Sequence, residues 1–291
     1  MPNHQKYDDI AVVIPTHNRI SELLNCLESV YQQENAQLQV FVINDGSQDG
    51  TTERVKEAYS QTQIIEGDGN LWWTGATNVG IKAALEQGFK YILLLNDDNI
   101  LADGALKTLL NYAQNHPKTI VGSLVVIKGT SMIGYAGAGI NWLKGGPFLK
   151  DYRHEYKGQY HNMIDTDFLG GQGVLIESSI FSKIGLFDST YFPHYHGDAD
   201  FYLRASAAGI KIVVHPQSIV WDSENPSSFP RYGFRKGFKK LVEAYISRRS
   251  PVNIVETTRF FWRHCPFWLL PIALPRKLLG FLKGYLHAQF S

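Results

Sequence analysis

Apolar runs and polar breaks alternate along the first hundred residues. Residues 10–14 (IAVVI) form an apolar run, and PTHNR after it reads as a turn. Ser21 opens a helical period reaching Gln33, with Leu23, Leu24, Leu27 and Val30 on one face. Residues 40–43 are a second apolar run; NDGSQDG then reads as turn and cap, and a helix follows to Tyr59. A third strand is predicted at 63–66, a helix over 74–87, and a fourth strand at 91–95. Such alternation predicts an α/β fold, a mostly parallel sheet with helices on both faces. Sheets of this kind bind ligands at the carboxyl ends of their strands. PTHNR, NDGS, GDGN and NDDN all fall there, so four polar loops are expected to meet in one crevice.

The pattern then changes. Residues 118–177 are richer in Gly and β-formers and lack a long helical period, so irregular strands and loops are expected. A helical period returns at 198–208 and a strand at 210–214. From Arg231 the composition turns basic and aromatic, which divides the chain into a body, 1–230, and a C-terminal helical extension, 231–291.

Composition sharpens this picture. Hydrophobic content of 44% and charged content of 19% over 291 residues belong to a globular chain with a sizeable core. Two cysteines, Cys26 and Cys265, give no disulfide framework and fit a reducing compartment. The first residues lack a basic-then-apolar signal pattern, and no uninterrupted apolar stretch reaches the roughly 18 residues of a spanning helix. A cytoplasmic location is expected, with a peripheral place at the inner face of the cell membrane if the tail is used there. Residues 231–291 carry twelve Lys and Arg against two acidic residues, leaving sixteen against twenty-five in residues 1–230. A basic tail on an acidic body predicts an anionic partner, membrane headgroups or nucleic acid. The acidic crevice argues against nucleic acid at that face.

Several motifs carry candidate chemistry, each with a plainer alternative. In NDDN, Asp97 and Asp98 end the fourth strand side by side. Like charges there repel, and burial adds to the penalty, so a positive group is expected to offset it. They suit a hard divalent cation, Mg2+ or Mn2+; the alternative is a capping turn. Asp45, in NDGSQDGT, ends the second strand and could accept from a base or ribose, or serve as a turn and cap. GDGNLWWTGATNVG departs from the G-x-G-x-x-G spacing, which rejects a nicotinamide site. Trp72 and Trp73 offer platforms for sugars or bases, with at least one expected to pack in the core. In HYHGDADFYLRA, Asp198 and Asp200 sit at a helix start, as caps or with one as a general base. His194 and His196 nearby could orient a base or be structural. FLGGQGVLI suits close backbone approach to a ligand, or a tight turn.

Taken in order, these segments resemble glycosyltransferase family 2, the inverting nucleotide-sugar transferases of GT-A fold. The resemblance runs over most of residues 9–225. VVIPTHNR, VINDGSQDGT, GDGNLWWTGATNVGI, LLLNDDN, FLGGQGVLI and HGDADFYLRA resemble that family's successive motifs. It implies a GT-A (Rossmann-like) catalytic domain over 1–230. It assigns the donor nucleotide to Pro15, Thr16, His17, Asn18, Asp45, Gly69, Asn78, Asp97 and Gly171. The metal falls to Asp98 with Asp97 or Asp222, and the catalytic base to Asp198. The acceptor side falls to Trp72, Trp73, Gly170, Gln172 and His196. Three positions depart from the pattern. Asn96 stands where the first acid of D-x-D is usual, and Gly197 stands where a Glu often precedes the catalytic Asp. VWDSENPSS has no His where relatives carry one; Asp222 occupies roughly that place, and His215 lies seven residues earlier.

The pattern is most similar to bacterial rhamnosyl- and galactofuranosyltransferases that build surface polysaccharide. It implies an inverting, metal-dependent transfer from a nucleoside diphosphate sugar, UDP- or dTDP-linked, to a glycan or lipid-linked hydroxyl. A sugar-phosphate nucleotidyltransferase would need a Gly-rich, Arg- and Lys-bearing loop that PTHNR is not. A degenerate donor-binding scaffold is disfavoured by the presence of Asp98 and Asp198. In the tail, Leu278, Leu279, Leu282, Tyr285 and Leu286 recur at helical spacing beside Arg276, Lys277 and Lys283. That suits an interfacial membrane helix, or else a lid or homodimer contact.

Overall fold

The computed structural model describes residues 9–33, 38–223, 238–248 and 250–290. Four strands, β1 (Ile10–Thr16), β2 (Gln39–Asn44), β3 (Gln63–Glu66) and β4 (Tyr91–Leu95), alternate with α1 (Ile20–Tyr31), α2 (Thr51–Ala58) and α3 (Trp72–Glu86). All four strands lie parallel in the order β3-β2-β1-β4, as the alternation predicts. Both faces of this sheet are covered, so side chains divide by the strand period of two. Ala11, Val13, Phe41, Ile43, Ile92 and Leu94 enter one apolar cluster. Ile10, Val12, Val40, Val42, Leu93 and Leu95 enter the other. Helix α3 lies hard against the sheet at Gly80, where an added Cβ would meet Val13 Cγ1 at 2.4 Å and Ile43 Cδ1 at 2.6 Å.

Beyond β4 the sheet turns mixed. The next elements are β5 (Asn99–Leu101), α4 (Ala105–Asn115), β6 (Thr119–Ile127), β7 (Ile133–Tyr135), β8 (Ala138–Asn141) and β9 (Gly146–Leu149). They are followed by β10 (Ile164–Asp165), β11 (Gln172–Glu177), α5 (Ser178–Ile184), α6 (Gly197–Ala207) and β12 (Lys211–Asp222). Strand β11 runs antiparallel to both β4 and β6 and so joins two blocks, the second being the parallel pair β6 and β12. A bulge at Gly173, with φ of +72°, bends β11 beside β4. Strand β12 outruns the predicted 210–214. It breaks register between His215 and Ile219 and then continues to Asp222, which pairs with Asn99 of β5.

The described part of the tail is helical: α7 (Phe238–Ile246), α8 (Ile254–His264) and α9 (Leu270–Phe290). Asn253 caps α8 by accepting from the backbone N–H groups of Val255 and Glu256. Phe260, Phe261 and Ala273 are fully buried in the same cluster as Phe192, Phe201 and Tyr202, so the extension shares the core of the body. The boundary at 230–231 and the stretch ENPSS lie outside the described residues.

Candidate active site

Three of the strand-end loops are stitched together by short hydrogen bonds. The Asn18 N–H donates to Ser47 Oγ at 2.8 Å, the Gln48 N–H to Asn18 Oδ1 at 2.7 Å, and the Ile20 N–H to Asp49 Oδ2 at 3.0 Å. Asn18 takes a left-handed φ of 53°, which Asn tolerates better than most residues. His17 Nδ1 pairs with the Asp45 carbonyl, and Pro15, next to last in β1, lies beside Ile43. The buried Asp45 carboxylate accepts from the Gly69 N–H at 2.8 Å and the Trp72 N–H at 3.1 Å. It therefore fixes the start of α3, and each oxygen keeps a lone pair for a donor from a ligand.

The adjacent acids find their positive group in Arg19. Its Nη1 donates to Asp98 Oδ2 at 3.0 Å and lies 3.5 Å from Asp97 Oδ1. Thr16 Oγ1 donates to Asp97 Oδ2 at 2.8 Å. Fully buried Asn99 joins the third acid, donating through Nδ2 to Asp222 Oδ1 at 2.9 Å and to Asp98 Oδ1 at 3.4 Å. Among the described residues, one guanidinium meets three carboxylates, an excess of negative charge. Burial pushes Asp97 up to about 7 even against Arg19. Burial and the neighbouring Asp98 push Asp222 up to about 7, while the Asn99 and Gln172 side chains oppose. Asp98 is also raised by burial, with Arg19 pulling it back.

Among the described residues no group of three or more His, Cys, Asp or Glu is assembled around a common metal position. Mg2+ and Mn2+ need fewer protein ligands, taking one or two carboxylates together with phosphate oxygens and water. Asp98 and Asp222, held beside one Asn99 amide, are hard oxygen donors of that number, and the surplus charge fits a divalent ion. His215 instead packs edge-on against Tyr112 of α4 at 5.7 Å between ring centroids.

Asn96 has its own place. Its Oδ1 accepts from the Trp73 indole at 2.9 Å, and its backbone N–H donates to Asn99 Oδ1 at 3.2 Å. Trp73 is the tryptophan that packs inward, edge-on to Phe187 and directly beneath Gly171, where an added Cβ would meet its ring at 2.4 Å. Trp72 is half-buried and leans on His194. Asn78 forms a clasp across 109 residues, donating to the Phe187 carbonyl at 2.8 Å and accepting from its N–H at 3.1 Å.

Asp198 opens α6. Its Oδ1 accepts from the Ala199 N–H at 2.7 Å, yet burial outweighs this and pushes the carboxyl up to about 6. The Gly170 loop is tied to α6 and to β7: its N–H donates to Tyr135 Oη at 3.1 Å, and its carbonyl lies 3.5 Å from Tyr202 Oη. Burial raises the Tyr135 phenol, and the charges of both Asp198 and Asp222 raise it further. His196, in the left-handed region with φ of 65°, stacks on Phe260 behind α6. Burial and Lys277 hold it down at about 3, hence neutral. The structure thus links Thr16, Asp97, Arg19, Asp98, Asn99, Asp222 and Gln172 at the strand ends, with Asp198 on α6. It sets Trp73, Asn78 and His196 in the supporting layer.

A glycosyl transferase family 2 model matches residues 11–177, more than half of the chain. The chain belongs to that family. YwdF of Bacillus subtilis, an uncharacterised glycosyltransferase, is 26% identical over 203 residues, 68% of each chain. The poly-beta-1,6-N-acetyl-D-glucosamine synthase of Staphylococcus epidermidis is 25% identical over 147 residues. That match covers 45% of this chain and 35% of the synthase, and a Rickettsia bellii glycosyltransferase is matched over 15% of its length, so these relatives are much longer. Among solved structures, S. aureus TarS 1–349 in complex with UDP-GlcNAc superposes with a TM-score of 0.59 at 14% identity, over 97% of this chain and 91% of that one. GalNAc-T7 with UDP, GalNAc and Mn2+ superposes at 0.60 and 15%, over 96% and 56%. These likenesses confirm the GT-A fold.

Proposed function

We propose that the protein transfers a sugar, with inversion, from a nucleoside diphosphate sugar to an acceptor hydroxyl. The observation that carries this reading is the cluster of buried acids at the strand ends, Asp97 and Asp98 after β4 and Asp222 at the end of β12, held together by Arg19 and Asn99. The PTHN loop and Asp45 hold the nucleoside, a UDP- or dTDP-sugar being favoured. Asp98 and Asp222, with Asp97 beside them, would hold Mg2+ or Mn2+. When bound, such an ion neutralises charge growing on the leaving diphosphate. Asp198 takes the proton of the acceptor hydroxyl as its oxygen forms the new bond to the anomeric carbon. The bond from that carbon to the diphosphate breaks, and its electrons leave with the diphosphate. Gly170, Gln172 and Trp72 border the acceptor. The acceptor is a glycan or lipid-linked glycan, and the product a cell-surface polysaccharide made at the inner face of the membrane.

Asp198→Asn tests the assignment. A general base contributes about a hundred- to ten-thousandfold in rate. The variant is expected to lose turnover by that factor while binding donor as before. In the parent protein, turnover is expected to rise with pH through about 6 as Asp198 ionises. Full turnover in the variant would remove Asp198 from the mechanism.

A further inference from the structure

Helix α9 has two unlike faces. Ala273, Phe281 and Tyr285 are buried, and the Tyr245 hydroxyl of α7 donates to the Leu278 carbonyl at 2.7 Å. The opposite stripe holds residues three or four apart, and these share one side of a helix. Ile272, Leu279 and Leu286 are exposed on it, with Arg276 and Lys283 between them. At its N-terminal end the turn that follows Pro266 presents Phe267 and Trp268, 79% and 67% exposed and packed edge to face. The exposed stripe is not the one that spacing alone selects: Tyr285 faces inward, and the aromatic anchors lie one turn ahead of the helix.

We propose that this stripe and the Phe267–Trp268 turn dock on an anionic lipid bilayer. Apolar side chains flanked by Arg and Lys, with Trp and Phe at the edge, match the boundary between acyl chains and headgroups. Charge complementarity selects this occupant. No Asp or Glu follows Glu256 in the chain, so every full side-chain charge on the stripe is positive. A two-fold contact with a second copy would set Arg276 and Lys283 against their own counterparts with no acid to pair them. No described helix is long and apolar enough to cross a membrane, so α9 lies along the surface. Its inner face leads to the reaction centre: α8 packs between α9 and α6, and Arg263 and His264 of α8 bind Asp200, two residues from Asp198. Docking would therefore fix the orientation of α6 towards acceptors held in the bilayer. That benefit rests on the proposed transferase reading; the lipid contact itself does not.

The test is flotation of the full chain with phosphatidylglycerol vesicles and with phosphatidylcholine vesicles, beside equilibrium sedimentation without lipid. Nucleotide binding by the same preparations is read separately, so failure of the lipid contact and failure of the transferase reading are distinguishable. The parent protein is expected to float with the anionic vesicles only. A basic residue near an anionic surface is worth about a fivefold change in affinity. Reversing both Arg276 and Lys283 to Glu is expected to weaken binding by at least about thirtyfold. The pair Phe267→Ser and Trp268→Ser is expected to abolish flotation. Both variants alter exposed side chains only, and circular dichroism checks that they fold. Absence of flotation by the parent, or variants that float as it does, overturns the proposal. Self-association without lipid that the Ser pair abolishes would do so too, and would assign the face to a second copy.

Discussion

At the scale of single residues, the strand-end site and the start of α6 hold acids near neutrality. Asp97 and Asp222 at about 7 and Asp198 at about 6 all lie above the ordinary 3.8. An acid raised on folding keeps its proton in the native state while the unfolded chain loses it. Stability therefore falls as pH rises from 3.8 through about 7. Without nucleotide or divalent ion, the melting temperature is expected to be higher at pH 5.5 than at pH 8. Arg19 limits this loss. Arg19→Gln is expected to deepen it, costing on the order of 1–3 kcal/mol at pH 8 and less at pH 5.5, where the carboxyls are protonated. Thermal melts of both proteins at the two pH values decide it; equal losses at both would mean that Arg19 does not compensate these acids.

Arg19 also shows what one sequence conceals. The adjacent acids announce that a positive group is needed, but its position, 79 residues earlier, depends on how β1 and β4 pair. The same holds for the link from Asn99 to Asp222, across 123 residues. Asp45, Asp98 and Asp198 stand out in sequence as candidates because each lies near the end of a strand or the start of a helix. The roles of Asn78 and Trp73 are not legible, since a polar side chain clasping a distant backbone looks the same in sequence as one facing a ligand.

At the scale of elements, the first four strands and three helices follow from uninterrupted periodicity, and their observed bounds agree closely with the predicted ones. The second half reads less well for identifiable reasons. Gly122 breaks the pattern of β6, yet the strand is continuous, because Leu169 fills the space a side chain would need. Pro216 marks an apparent end to β12, which instead bulges and continues. Helix α6 is tied to the extension through Asp200, whose burial would raise it. Hydrogen bonds from His264, Arg263 and Arg204 outweigh that and hold it down at about 2. Asp200→Ala leaves the Arg204 and Arg263 guanidinium groups without their shared acid and is expected to cost about 3–5 kcal/mol. Urea unfolding at pH 7 measures the change; a loss under 1 kcal/mol, by the same scale, would show the clasp to be dispensable. The wild-type contribution is present above 3.8 and disappears as pH falls towards 2.

At the scale of the molecule, an acidic crevice in the body and a basic, partly exposed tail explain a net charge of only +1. The two regions are coupled, since α8 and α9 enter the same core as α6. The proposed donor site at the strand ends, the proposed base on α6 and the proposed lipid-facing helix thus belong to one packed unit. The central proposal is that Asp98 and its neighbours bind a divalent ion together with a nucleoside diphosphate. Calorimetric titration of UDP and dTDP, each with and without Mn2+, into the parent protein and Asp98→Asn tests that most directly. The account predicts binding of one nucleotide by the parent only when Mn2+ is present, and at least a tenfold loss, about 1.4 kcal/mol, in the variant. Binding that ignores Mn2+ and survives Asp98→Asn unchanged would contradict it.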